Sequence, residues 1–139
     1  MQQRLPAATR AAQAGKPPPH LFIYTSSGIN GRMKPLKFIG SSLDDLRKMP
    51  ASVRHTLGIE LMTIQYGGNP SNFKPMKCVG AGAYEIRHRE PSGAFRVIYV
   101  AKQDDAVYVL HAFQKKSQKT TKNDIDLAAK RYKLIGEAL

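Results

Sequence analysis

The chain has 139 residues and 42% hydrophobic content, enough for one modest core, and it carries 22 Lys and Arg against 10 Asp and Glu, a net charge of +12. That excess points to a polyanionic partner, with nucleic acid the leading class. No apolar run approaches the ~20 residues of a spanning helix, so a membrane is not an expected partner. One cysteine and four scattered histidines make neither a disulfide framework nor the paired spacing of a zinc site, so no metal or other cofactor is expected and a reducing cytoplasm fits.

Residues 1–32 contain no acidic residue, four of the nine prolines and Ala-rich stretches, which is the composition of a disordered or accessory extension. Within it, Leu21 to Tyr24 is a short apolar stretch able to pair as a strand. Met33 opens a segment, 33–139, that reads as one complete small domain. Leaving out the extension removes Arg4, Arg10, Lys16 and Arg32 and lowers the net charge to +8, so the domain itself is basic.

From Lys34 to Ile39 alternation at Leu36 and Phe38 predicts a first strand. Ser42 is the expected N-cap of a short helix, with Asp44 and Asp45 in its first turn, where the helix dipole favours carboxylates. Pro50 restarts the chain as a second helix whose face is Val53, Leu57, Leu61 and Ile64, ended by Gly67 and Gly68. The period then changes to two. Tyr84, Ile86 and His88 alternate with Glu85, Arg87 and Arg89. After the turn Glu90-Pro91-Ser92-Gly93, Phe95, Val97 and Tyr99 alternate with Arg96, Ile98 and Val100. Asp104 and Asp105 mark another turn before the run Val107 to Phe113. Short turns make these three strands an antiparallel meander. Thr121 and Asp124 form a capping box for a last helix carrying Ile125, Ala128, Ala129 and Tyr132. The expected class is α+β, a two-helix hairpin and a C-terminal helix packed on a small twisted antiparallel sheet.

Strand period places Glu85, Arg87 and Arg89 on one face, and the paired strand adds Arg96. This is either an ordinary solvated face, with Glu85 and Glu90 neutralising the arginines, or a phosphate-reading surface, because the guanidinium fork matches phosphate oxygens. Lys115, Lys116, Lys119 and Lys122 follow with no acid among them, as a solubilising loop or as a basic loop able to close on an RNA backbone. Lys77 adds charge before the meander. His88 and His111 fall in the sheet, packing there or performing acid/base chemistry. Cys78 reads as a packed or partly exposed thiol rather than a nucleophile. No Gly-rich phosphate loop, paired-carboxylate signal or nucleophile elbow is present.

In order along the chain, Phe73-Lys74-Pro75-Met76-Lys77, Tyr84-Glu85-Ile86-Arg87, Phe95-Arg96-Val97-Ile98-Tyr99, Leu110 to Lys116 and Ile125 to Arg131 resemble the HigB-like, phage-derived branch of the RelE/ParE toxins. The resemblance covers about Lys34 to Ile135. It implies a RelE-like fold, the toxin half of a type II toxin-antitoxin pair, and a helix-turn-helix antitoxin as partner in a hetero-oligomer. RelE- and HigB-like members cleave mRNA in the ribosomal A site without a metal, whereas ParE-like members inhibit gyrase; a non-catalytic phage-derived nucleic-acid-binding protein is a third reading. The ribonuclease reading assigns Arg96 to phosphorane stabilisation, Arg87 to phosphate positioning and Lys115, Lys116 or Lys119 to the leaving-group side, with Arg89, Lys77 and Lys122 on the RNA. Glu85 stands where RelE has a lysine, and no clear counterpart exists of the tyrosine that follows the final basic residue. Glu85 is then either the base or a partner of Arg89, and His111 is the other candidate base.

Overall fold

A computed structural model of the protein describes residues 21–24, 33–102, 106–116 and 119–138. The expected turn at Asp104 and Asp105 and most of the N-terminal extension lie outside these residues. The switch to a two-residue period produces three long strands, β4 (Ala83–Glu90), β5 (Gly93–Lys102) and β6 (Ala106–Lys115), paired antiparallel as a meander. Before them come β1 (Leu21–Tyr24), β2 (Leu36–Ile39), α1 (Ser42–Arg47), α2 (Ala51–Gln65) and β3 (Phe73–Pro75), and α3 (Lys122–Ala138) follows. The spatial order is β1-β2-β6-β5-β4-β3.

Two features of the sheet exceed the sequence reading. β2 runs parallel to β6, with Leu36 beside Val107 and Phe38 beside Val109, so a sheet expected to be antiparallel is mixed at this one pair. The helices after β2 carry the chain away, and β6 returns alongside in the same direction. β3 is a three-residue strand ending in Pro75 at the far side of β4, a place open to proline because the outer side of an edge strand needs no ladder donor. Leu21–Tyr24, four residues of the extension, pair antiparallel with β2.

The helices fall on opposite faces. Leu43, Leu46, Val53, Leu57 and Ile64 of α1 and α2 pack on Ile86, Phe95, Val97 and Val109. On the other face Ala128 and Ile135 of α3 meet Ile98, Val100, Tyr108 and Leu110. Burying these two apolar layers supplies the main favourable term of folding, at ~25 cal/mol per Å².

One cap differs from expectation. Ser41, not Ser42, stands at the N-cap position of α1, and its hydroxyl donates to Asp45 at 2.8 Å. Ser42 is fully buried and donates to the Val109 carbonyl at 3.1 Å, which ties α1 to β6 just where β2 stops covering it. The capping box of α3 is present: Thr121 Oγ1 accepts from the Asp124 amide at 3.2 Å and donates to its carboxylate at 2.7 Å. Arg131 in α3 reaches across to donate to the Leu110 carbonyl at 2.9 Å and to Ser41 Oγ at 3.0 Å. Gly40 makes room for it, with φ of 62° and space for a Cβ only 2.6 Å from Arg131 Nε. A side chain there meets both backbone strain and the guanidinium. Among the described residues no helix is long and apolar enough to cross a membrane.

Candidate functional site

The pairing register decides which charges meet. Arg87 lies beside Arg96 and Arg96 beside Phe113, while Glu85 lies beside Ile98 and Ile98 beside His111. Arg89, Ala94 and Lys115 make the next row toward the hairpin end. All three rows share the face that carries α3. Lys115 reaches that face because the ladder slips between Ile98 and Tyr99, where Ile98 pairs with His111 but Tyr99 pairs with Val109. The unmatched Leu110 is a bulge, and one extra residue reverses which way every later side chain of β6 points. Uninterrupted alternation from Tyr108 would have sent Lys115 to the α2 side.

On this face a cleft of about 420 Å³ opens between β3 with its following turn and residues 119 and 120, just ahead of α3. Lys74, Lys77, Arg87, Lys115 and Lys119 line it, with Glu85, Thr120 and Cys78. Five cationic side chains thus surround one carboxylate. Glu85 forms the floor, only 1% exposed. Its Oε2 accepts the Thr120 hydroxyl at 2.6 Å, and its Oε1 faces Arg96 Nε at 3.6 Å. Arg96 is itself buried, 4% exposed, and donates through Nη1 to its neighbour's carbonyl, Phe95 O, at 3.0 Å.

The electrostatics follow from this crowding. Burial lowers the Arg96 pKa from its usual value, Glu85 opposes that, and Arg87 and Arg89 add to it. The Lys115 ammonium is also lowered, first by partial desolvation and then by Arg96, with Arg87 and Lys74 adding and Glu85 opposing. A site that raises the free energy of its own cations gains when an anion arrives among them.

A family model described as phage derived protein Gp49-like (DUF891) matches residues 44–133. The chain belongs to the Gp49-like family. No curated protein matches it. The match runs from α1 into α3 and takes in every residue that lines the Gp49-like cleft.

Of the residues singled out in the sequence, Glu85, Arg87, Lys77, Lys115 and Lys119 come together in this cleft, with Arg96 beneath it. Arg89, Lys116, Lys122 and His111 do not line it. Arg89 is exposed beside Ala94, and Lys116 is exposed at the exit of β6. Lys122 donates to Asp126 at 2.8 Å within α3, which raises its pKa. His111, 6% exposed, stacks on Phe113 with ring centroids 4.5 Å apart and is held through Nε2 by Asp124 at 2.8 Å. It lies instead on a second hollow, of about 380 Å³, with Asp45, Lys48, Met49 and Phe95. Glu85 is paired with Arg96 rather than with Arg89, and Glu90 accepts from Ser52 at 2.6 Å and contacts His88 at 3.0 Å. It therefore does not neutralise the arginines.

Among the cleft residues that were not proposed for the site from the sequence are a cation, Lys74, and a hydroxyl, Thr120. Lys74 lies in the Phe73 to Lys77 motif, and its pairing with Glu85 across β3 and β4 is the signal that a three-residue strand hides. Thr120 carries no pattern of its own. Among the described residues no group of three or more His, Cys, Asp or Glu is placed to hold a metal.

Proposed function

We propose that this Gp49-like protein is the toxin of a type II toxin-antitoxin system, a ribosome-dependent mRNA endoribonuclease neutralised by a helix-turn-helix antitoxin. The observation that carries the reading is the convergence of five cationic side chains on a cleft whose floor is a single carboxylate. Membership of the Gp49-like family supports the toxin-antitoxin association; the ordered resemblance to RelE and HigB suggests the ribosome as target, and the basic cleft suits an RNA substrate.

The reaction is transesterification within the RNA chain. The ribose 2′-OH attacks the adjacent phosphorus and the bond from phosphorus to O5′ breaks, giving a 2′,3′-cyclic phosphate and a 5′-OH. Glu85 takes the 2′-OH proton, and Lys115, whose ammonium is already destabilised, gives one to O5′. Arg87 holds the phosphate oxygens bidentately, and Arg96 beneath Glu85 adds positive potential as charge builds on the phosphorane. Lys74, Lys77 and Lys119 hold the flanking backbone.

Primer extension on an mRNA translated in a purified system tests the reading. New 5′ ends within codons, dependent on ribosomes and absent with Arg87→Ala, are the expected result. Intact mRNA together with inhibited supercoiling in a gyrase assay overturns it in favour of a gyrase inhibitor.

A further inference from the structure

We propose that the Thr120 hydroxyl occupies, in the free protein, the seat that the substrate's 2′-OH takes on Glu85, so that Thr120 acts as a built-in competitor that the RNA must displace. The inference rests on the ribonuclease reading above and deepens it.

Glu85 is 1% exposed although it lines an open cleft, and Thr120, which lines the same cleft, is hydrogen-bonded to it. The contact of 2.6 Å is the short, charge-assisted distance of a hydroxyl donating to an ionised carboxylate. It is also the distance a general base needs from the hydroxyl it deprotonates. The threonine side chain carries a secondary alcohol, the same functional group as the ribose 2′-OH. Glu85 Oε1 is turned toward Arg96 Nε, so Oε2 is the oxygen facing the cleft, and Thr120 holds it.

Displacement is built into the same stretch of chain. Lys119, the residue before Thr120, lines the cleft with Lys115 and Lys74. A phosphate drawn to these cations sits beside Thr120, and its ribose offers the replacement donor. A strand lacking the 2′-OH supplies the phosphate but no donor for Glu85. Thr120 therefore sets selectivity for RNA over DNA at this step.

The test uses the full chain and a short RNA oligonucleotide, compared with the same sequence in DNA by fluorescence anisotropy. Thr120→Val removes the competing donor at nearly constant volume. RNA binding is expected to tighten about tenfold, the share of a hydrogen bond to a charged group that competition withholds, while DNA binding stays unchanged. Thr120→Ser keeps a donor and restores the wild-type preference. In cleavage of ribosome-bound mRNA the same tightening appears as a lowered KM at unchanged kcat in Thr120→Val, because the bound RNA has already displaced Thr120 in the wild type. Equal changes for RNA and DNA, or an unchanged KM with wild-type RNA affinity, overturn the proposal while leaving the ribonuclease reading intact. A wild-type protein that binds no RNA and cleaves no translated mRNA overturns both.

Discussion

Replacing Arg96 changes stability and chemistry together, because it is the buried partner of Glu85. Arg96→Ala leaves Glu85 buried without its cation. Removing one partner of a buried ion pair costs ~3–5 kcal/mol. The low end applies here, since the pair is 3.6 Å apart and Arg87 and Arg89 already oppose the Arg96 charge. A loss of ~3 kcal/mol with an m-value of ~2 kcal/mol/M moves the urea midpoint down by ~1.5 M, and at ~4 °C per kcal/mol it lowers Tm by ~12 °C. Circular dichroism with urea and heat reads both. Arg87→Ala, exposed on the same face, is expected to stay within ~0.5 kcal/mol of wild type, and Glu85→Leu with Arg96→Met is expected to recover most of the loss, because replacing both members of a buried pair by apolar groups is often close to neutral. An Arg96→Ala protein that unfolds at the wild-type urea concentration refutes this account of the pair. The consequence for function is practical: lost toxicity in Arg96→Ala carries no information about catalysis until its stability is matched, whereas Arg87→Ala tests the chemistry cleanly.

Other outcomes follow from the same geometry. Glu90 has its pKa lowered below the ordinary 4.5, first by the Ser52 hydrogen bond and then by His88. Its stabilising contribution is therefore complete above 4.5 and fades as pH falls through the lower folded value, so urea midpoints of wild type and Ser52→Ala, measured from pH 6 to pH 3, should differ most at the upper end and converge toward the lower. For RNA binding, log K against log salt should flatten by ~0.7 for each of Arg87→Ala and Lys115→Ala, as expected when one phosphate contact to a single strand is lost; an unchanged slope removes that residue from the interface. Gly80→Ala places a Cβ 2.5 Å from the Tyr132 ring, whose hydroxyl donates to the Ala81 carbonyl at 2.7 Å. Thermal melts should show a loss of ~1–3 kcal/mol from this overpacking.

What the sequence by itself determined is the set of elements governed by local rules. The two-residue period of Tyr84 to Val100 fixed the meander. The four-residue spacing of Val53, Leu57 and Leu61 fixed the face of α2, and Thr121 with Asp124 fixed the start of α3. Arg87 and Arg96 were legible as neighbours because strand period and a short hairpin leave little freedom in register. The structure alone decided what depends on contacts distant in sequence. β3 is too short for any period to reveal, so Lys74 was not placed opposite Glu85. The parallel pairing of β2 with β6 depends on where two helices deliver the chain. The bulge at Leu110 moves Lys115 onto the arginine face and turns His111 toward Asp124, and alternation read along β6 alone assigns the opposite side. The contact of Glu85 with Thr120 is likewise a tertiary fact: 35 residues separate the two in the chain, and only the fold brings this hydroxyl to that carboxylate.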